Sequence, residues 1–288
     1  MTEAYICRLS NEEKEFAAAN LNENEEERSA KIQEIREWIL EREDMCARTD
    51  DFTILRFLRA CKFNIDKTKV KMDNYYSQRA ALAEWFDNRN PFLPEIQELL
   101  DLGVFIPLRK HDDDGKMIVI IRSGAYDPHK HKIGDIFKAC MMILDLAIRD
   151  CEPVTLHGIV AILNLEGVSL SHALQLTPAV IKNLVHAWQG CYPLRIQSLD
   201  FINAPVYVNV VLRLFKVFMN HKLKRRMHVH GDGMAVVEKN IPKHILPEEY
   251  GGTDGTIKDL IDHWKTIVEE NQDWLTEDEK YRVTLPYN

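Results

Sequence analysis

Between Pro205 and Arg226 the chain reads PVYVNVVLRLFKVFMNHKLKRR, and its order of apolar and polar positions predicts an unusual helix. Asn209, Arg213, Lys216 and Asn220 follow one another at steps of four, three and four, so a helix stacks them in one narrow polar stripe. Val206, Val208, Val210, Val211, Leu212, Leu214, Phe215, Val217, Phe218 and Met219 take up the rest of the circumference. That is far more than the roughly 100°-wide face an ordinary surface helix buries. Such a helix needs apolar neighbours on two sides. A central core helix meets that need, and so does a lid with one side over an apolar cavity and the other toward a membrane. The helix is expected to run straight into Lys222, Lys224, Arg225 and Arg226, which must stay solvated or meet anions; this places one end at the surface and favours the lid.

The chain before this segment begins with helices. From Asn11 to about Arg48 it is rich in Glu, Lys, Arg and Ala, with Ile32, Ile35, Trp38 and Ile39 at helical intervals. Asp50 and Asp51 offer an N-cap to DFTILRFLRACKF, whose Ile54, Leu55 and Leu58 define an apolar side, and Ile65 to Phe86 continues as another helical segment. A boundary falls around Pro91 to Leu102, giving an N-terminal helical domain (1–95), a main domain (96–275) and a C-terminal tail (276–288). Past the boundary, β-branched runs alternate with helical ones. GVFIPLRK (103–110) and KMIVIIRSG (116–124) flank the turn-rich HDDDG as in a hairpin. There follow a helix from Ile133 to about Arg149, the buried strand GIVAILNLEG (158–167), and a helix from Thr177 to Trp188 with Pro178 near its start. The strand IQSLDFINAP (196–205), the lid and a short strand MHVHG (227–231) complete the pattern. This alternation predicts an α/β fold with a mixed, mostly parallel sheet. The polar stretch from Glu269 on is expected to pack loosely as a helix, followed by a short disordered end.

Composition narrows the partners. A chain of 288 residues with 45% hydrophobic content can bury a sizeable core, which excludes general disorder. The net charge of −8 is uneven, because residues 1–50 hold 14 acidic and 7 basic side chains and leave the rest nearly neutral. An acidic N-terminal region argues against nucleic acid, while the basic cluster after Asn220 permits a specific anionic contact. The six cysteines form no CxxC pair, so neither disulfides nor structural zinc are expected and a reducing, cytoplasmic setting fits. No basic-then-apolar leader opens the chain and no apolar run reaches the roughly 18 residues that span a bilayer, so any membrane contact is expected to be peripheral and reversible.

Catalytic motifs are sparse. GVSLS (167–171) ends on Ser171 where a G-x-S-x-G elbow needs glycine, HGDGMAV (230–236) lacks the third glycine of a dinucleotide fingerprint, and no P-loop occurs. His129 with His131, and His228 with His230, alternate as strand residues on one face would, and each could supply two imidazoles to a metal or simply be polar decoration. A third ligand at recognisable spacing is missing. The expectation is therefore no catalytic residue, no metal and no cofactor, and ILPEEYGG (245–252) reads as a structural turn.

Five segments, in order, resemble the CRAL-TRIO lipid-binding family, and most closely its α-tocopherol transfer protein branch. They are DDFTILRFLRACKFNIDKT, DGKMIVIIRSGAYDP, NLEGVSLSHALQLTP, YPLRIQSLDFINAP and ILPEEYGG, and the similarity spans about residues 30–275. The resemblance implies a small all-α N-terminal domain followed by a mixed sheet with helices that enclose one apolar lipid cavity. It also implies a mobile helix gating that cavity, at Pro205 through about Lys222.

Carried over position by position, the resemblance places Phe137, Cys140 and Leu144 from one helix and Ile159 and Leu163 from the buried strand on the wall. Ala187, Trp188, Ile196 and Leu199 complete it, and Val208, Val211 and Leu214 close it from the gate. Each could equally be plain core packing. Serines stand in the tocopherol carrier where this chain has Cys140 and Leu144, and a buried hydroxyl without a partner costs roughly 1–3 kcal/mol. Selectivity therefore shifts away from tocopherol and leaves retinoids, carotenoids or other rigid lipids open. The resemblance further implies phosphoinositide recognition in a basic surface cleft beside the gate by Arg59, Arg195, Lys222 and Arg226, with Gln197 at one position that is basic in the relative. The function so implied is an intracellular, non-enzymatic carrier, cytoplasmic and peripherally associated with endosomal or plasma membranes. The alternatives are a phosphatidylinositol or phospholipid transfer or sensing protein, and a lipid esterase.

Overall fold

Local capping and helical spacing organise the first part of the chain. In the computed structural model, which describes residues 5–231 and 233–284, Ser10 caps α1 (Asn11–Leu21) and Asn24 caps α2 (Glu25–Leu40). Asp50 accepts the Thr53 N–H at 2.8 Å and starts α3 (Asp51–Ala60), and Asn64 does the same for α4 (Ile65–Ala81). Ile32, Ile35 and Ile39 from α2, Ile54, Leu55 and Leu58 from α3, and Met72 and Tyr76 from α4 meet in one apolar core. The short α5 (Ala83–Phe86) and α6 (Pro94–Leu102) face a larger core, to which Trp85, Phe86 and Ile96 already belong.

That larger core is built on a five-stranded sheet. The strands β1 (Phe105–Pro107), β2 (Met117–Arg122), β3 (Ile159–Asn164), β4 (Ile196–Ile202) and β5 (Met227–Val229) lie in the order β1-β2-β3-β4-β5. β1 pairs antiparallel with β2 and every other pair is parallel, so the sheet is mixed and mostly parallel. Parallel neighbours need crossovers. The first consists of α7 (Ile133–Arg149) and α8 (Glu152–His157). The second consists of α9 (Leu170–Gln175), α10 (Pro178–His186) and a π-helical turn, Ala187–Cys191. The third holds α11 (Val208–Phe218) and α12 (His221–Arg225), and α13 (Gly233–Asn240), α14 (Ile257–Glu270) and α15 (Gln272–Asp278) follow the sheet. α7 is buried along nearly its whole length, as its apolar sequence demands.

The expectation of a loosely packed C-terminal helix is corrected. Leu275 is wholly buried, and Asp278 takes Arg79 Nη2 at 2.8 Å, Arg89 Nη1 at 3.0 Å and Arg48 Nε at 2.9 Å. Arg89 also reaches Asp145 of α7 at 2.7 Å, so the tail, the N-terminal helices and the main core share one buried ionic network. Val283 then bridges to Met45. Polar residues near a terminus read as solvated because their partners lie far away in the chain. The expected disordered end, 285–288, is outside the described residues.

Burial alone would raise the Asp278 carboxyl, but the Arg79, Arg89 and Arg48 guanidiniums outweigh it and hold it below the usual carboxylate range. A carboxyl depressed in the folded state adds stability above its unfolded value of ~3.9 and loses it as pH falls through the folded value, so this contribution fades in acid below about pH 4. Replacing Arg89 with Met leaves two buried carboxylates short of a cation. We expect a loss of about 3–5 kcal/mol in urea unfolding at neutral pH, narrowing below about pH 4. A loss under ~1 kcal/mol, the range of an exposed pair, would show that the network is not structural.

Candidate functional site

The carboxyl end of the sheet is not filled by side chains. Ile121, Leu163 and Phe201 are register partners on β2, β3 and β4, and this row across the sheet is the floor of a cavity. Ile133, Phe137, Cys140, Met141 and Leu144 recur at helical spacing on α7 and form one wall. Leu165, Val168, His172, Ala173 and Leu176, which follow β3, and Leu184 and Trp188, which follow α9, close the sides. Val208, Val211, Leu212 and Phe215 of α11 are the roof. The cavity offers about 180 Å³ of free volume, more than ten times the ~10–15 Å³ a single water needs on this measure, so it is a chamber and not a packing fault. Its lining includes no Asp, Glu, Lys or Arg.

Of the residues proposed for the wall, Phe137, Cys140, Leu144, Leu163, Trp188, Val208 and Val211 line this chamber. The other five do not. Ile159 and Ile196 pair with each other at the amino-terminal end of their strands, and Leu199 sits in the row with Ala161, behind the floor row. All three are buried in packed core, because the hollow lies only at the carboxyl end, where open α/β sheets commonly leave a crevice. Ala187 is fully buried where the π-helical turn meets α4. Leu214 lies roughly 100° round the helix from Phe215 and packs beside the roof instead of under it. Sequence reading missed Phe201, which only the strand register brings beside Leu163, and it missed Leu212 and Phe215, which helical spacing from Val208 could have found. It also missed Ser123, Tyr126 and His172, polar residues that no apolar pattern marks.

The roof helix is shorter than expected. Met219 turns extended after Phe218, and Asn220 Oδ1 accepts the Leu223 N–H at 2.8 Å to start α12 as a separate helix. The asparagine read as part of a polar stripe is a cap, which breaks the predicted continuous helix. Gln189, on the π-helical turn, fastens this break from both sides. Its Nε2 donates to the Phe218 carbonyl at 3.1 Å and its Oε1 accepts the Asn220 N–H at 2.9 Å. At the other end, the Tyr207 hydroxyl donates to the Val168 carbonyl. Trp188 stacks on Phe215 between these two ties. On the outer side of the roof Val206, Val210 and Val217 are 87%, 70% and 70% exposed beside the exposed polar stripe of Asn209, Arg213 and Lys216, and Leu170 and Leu174 of α9 are 65% and 72% exposed.

Lys222 on α12 and Arg226 at its C-cap stand beside Arg195, which precedes β4. Burial, with Arg226 beside it, pushes Arg195 down to about 10, and its Nε and Nη2 have no hydrogen-bond partner among the described residues. Partial desolvation and the charges of Arg226, Lys62, Arg195 and Arg225 lower Lys222 as well, and desolvation with Arg225 lowers Arg226. Cations pressed together in this way are stabilised by an arriving anion. Arg59 is not among them. It is fully buried, with Glu23 on Nε at 2.8 Å and on Nη2 at 3.0 Å, and with Glu152 and Thr155 on Nη1 at 3.0 Å and 2.9 Å. The expectation of Arg59 in a surface cleft is therefore corrected, because internal carboxylates already occupy its donors. Gln197 donates to the His157 carbonyl at 2.7 Å.

Two contacts that could suggest a nucleophile do not behave as one. Ser169 Oγ lies 2.8 Å from His172 Nδ1, but the same nitrogen accepts the Ser169 N–H, and Nε2 bonds to the Tyr126 carbonyl at 2.9 Å. The imidazole is a helix cap with no free lone pair for a base. Cys151 Sγ lies 3.3 Å from His111 Nε2, yet burial raises the thiol and lowers the imidazole, which leaves both neutral. Of the histidine pairs, His230 bonds to Asp200 at 2.8 Å, and among the described residues no three His, Cys, Asp or Glu side chains converge to hold a metal. No described helix is long and apolar enough to cross a membrane.

Residues 102–252 match the CRAL/TRIO domain family, and residues 24–96 match the Pinta-like UBA domain family. The chain is 30% identical over 270 residues to the alpha-tocopherol transfer protein-like protein of Homo sapiens, covering 93% of this chain and 78% of that one. It is 31% identical over 246 residues to clavesin-1 of Rattus norvegicus, covering 85% and 69%. Its fold is similar to the crystal structure of Sfh5, with a TM-score of 0.55 at 15% identity over 93% of this chain and 99% of the other.

The ties at the ends of the roof predict its dynamics. Gln189→Ala removes both side-chain bonds at the break before α12, each worth about 1 kcal/mol net. Backbone amide exchange across residues 215–223 should rise roughly tenfold, with no change on α7. Equal exchange in variant and native chains would mean that the break is held by other contacts.

Proposed function

The chain belongs to the CRAL/TRIO domain family, and on that premise we propose that it is a carrier that binds a hydrophobic lipid of tocopherol, retinoid or carotenoid type and transfers it between membranes. One observation carries this reading: a charge-free chamber roofed by a helix whose outer side exposes valines, Val210 and Val217 with Val206 just before it, beside the cations Arg213 and Lys216. Burying about 400 Å² of apolar ligand surface at ~25 cal/mol per Å² is worth on the order of 10 kcal/mol, so unassisted release into water is slow. A membrane provides the alternative. Anionic phosphoinositide headgroups dock on Arg195, Lys222 and Arg226, where guanidinium forks can each donate two hydrogen bonds to a phosphate. Val206, Val210 and Val217, with Leu170 and Leu174, then enter the interface, and the displaced roof lets lipid exchange.

In this mechanism Arg59 is a structural residue and not a headgroup contact. Its partners Glu23 and Glu152 keep it charged, offsetting the burial that would otherwise lower it. The electrostatic step weakens with salt, because headgroup attraction acts within about one Debye length.

Mass spectrometry of lipid extracted from the purified protein tests the carrier reading directly. A neutral, apolar lipid supports it; a diacyl phospholipid favours the phospholipid-transfer alternative, and hydrolysis of simple acyl esters would favour the esterase. For the docking step, Arg195→Glu with Lys222→Glu should slow transfer to phosphoinositide-containing vesicles at least tenfold, roughly 1.4 kcal/mol, with ligand affinity unchanged. An unaltered rate would reject docking at this cluster.

A further inference from the structure

The chamber is not uniformly apolar. Ser123 and Tyr126, on the turn that leaves β2, both line it, and neither hydroxyl is hydrogen-bonded to any described residue. Their placement is built. Gly124 lies between them, and a side chain there would collide with the Glu166 carbonyl, so the turn rests directly on the backbone that follows β3. The Tyr126 ring is wedged edge-on against His172, with centroids 4.8 Å apart, and against His131 at 6.4 Å, while its carbonyl accepts His172 Nε2 at 2.9 Å. The hydroxyl direction is thereby fixed. Opposite stands Cys140 of α7, near enough to Tyr126 to affect its ionisation.

We propose that Ser123 and Tyr126 form a head-anchoring subsite, which selects lipids bearing a single uncharged oxygen function, hydroxyl or carbonyl, and seats that end at the β2 turn with the hydrocarbon lying under α11. This deepens the carrier reading and rests on it. A hydroxyl both donates and accepts, so the two side chains serve either an alcohol or a carbonyl. A charged head is refused, because no Lys, Arg, Asp or Glu lines the chamber and an ion buried without a partner is costly. Burial pushes the Tyr126 hydroxyl and the Cys140 thiol each up to about 12, so neither offers a counter-charge at neutral pH. His172 has both ring nitrogens engaged with Ser169 and Tyr126.

The test compares hexadecan-1-ol, hexadecane and hexadecanoate by native mass spectrometry and equilibrium dialysis on the delipidated full chain. The alcohol should bind about tenfold more tightly than the alkane, as one buried hydrogen bond to a neutral group allows, and the carboxylate more weakly than the alcohol. Tyr126→Phe with Ser123→Ala should bring the alcohol to within about twofold of the alkane and leave alkane affinity and the unfolding midpoint unchanged. Equal binding of alcohol and alkane by the native chain overturns the subsite while leaving the chamber's role intact, as does equal loss of both in the variant. Tightest binding of hexadecanoate overturns it too. Binding of none of the three overturns the carrier reading itself, and the subsite with it.

Discussion

Two arginines and two aspartates, almost entirely withdrawn from water, decide where the wall of the chamber stands. Leu144 faces the cavity, and the next residue along α7, Asp145, faces Arg89. Arg89 and Arg79 in turn hold Asp278 on the last helix. Removing any one member leaves a charge buried without its partner, which costs more than the pair itself contributes. α7 therefore cannot slide or rotate without breaking contacts that tie together the N-terminal helices, the sheet and the C-terminal segment. A hollow beside a well-packed helix tends to collapse; here the helix is pinned from the side away from the hollow.

The roof is held quite differently. No ion pair among the described residues joins α11 to the rest of the chain, and its fastenings are apolar contacts, the Tyr207 bond to Val168 and the two amide bonds of Gln189. Hydrophobic contact has no fixed direction and can be exchanged for contact with acyl chains at small net cost, and single hydrogen bonds contribute about 1 kcal/mol each. Wall and roof thus differ in the kind of interaction that holds them, and only the roof is held by interactions a membrane can replace. Lys222 and Arg226 lie just past the break at Met219, so the basic cluster adjoins the end of the roof without being part of it.

Much of this was legible in the residues. The apolar surplus on Val206–Met219 announced a helix in contact with the cavity, and the resemblance to the family put Phe137, Cys140 and Leu144 of α7 on its wall. What stayed hidden depends on distances across the chain. Leu199 and Phe201 are equally apolar and share a strand, and only the register of β4 against β3 shows that the cavity begins between them. Arg59 looks like a surface cation beside other cations until Glu23, distant in sequence, folds onto it. Asn220 fits a polar stripe and a helix cap equally well, and local spacing cannot separate the two. Asp278 is the same case at the chain end, since its three arginines belong to the N-terminal half.

An empty chamber is also a weakness that loading repairs. Side chains around a void forgo dispersion contacts that an occupant restores. Any molecule that binds only the folded chain stabilises it by mass action, about 2.7 kcal/mol when present at a hundred times its dissociation constant. Unfilled copies should then visit unfolded forms more often than filled ones and be cut first by proteases, so that the lifetime of the fold follows the supply of whatever fills the chamber.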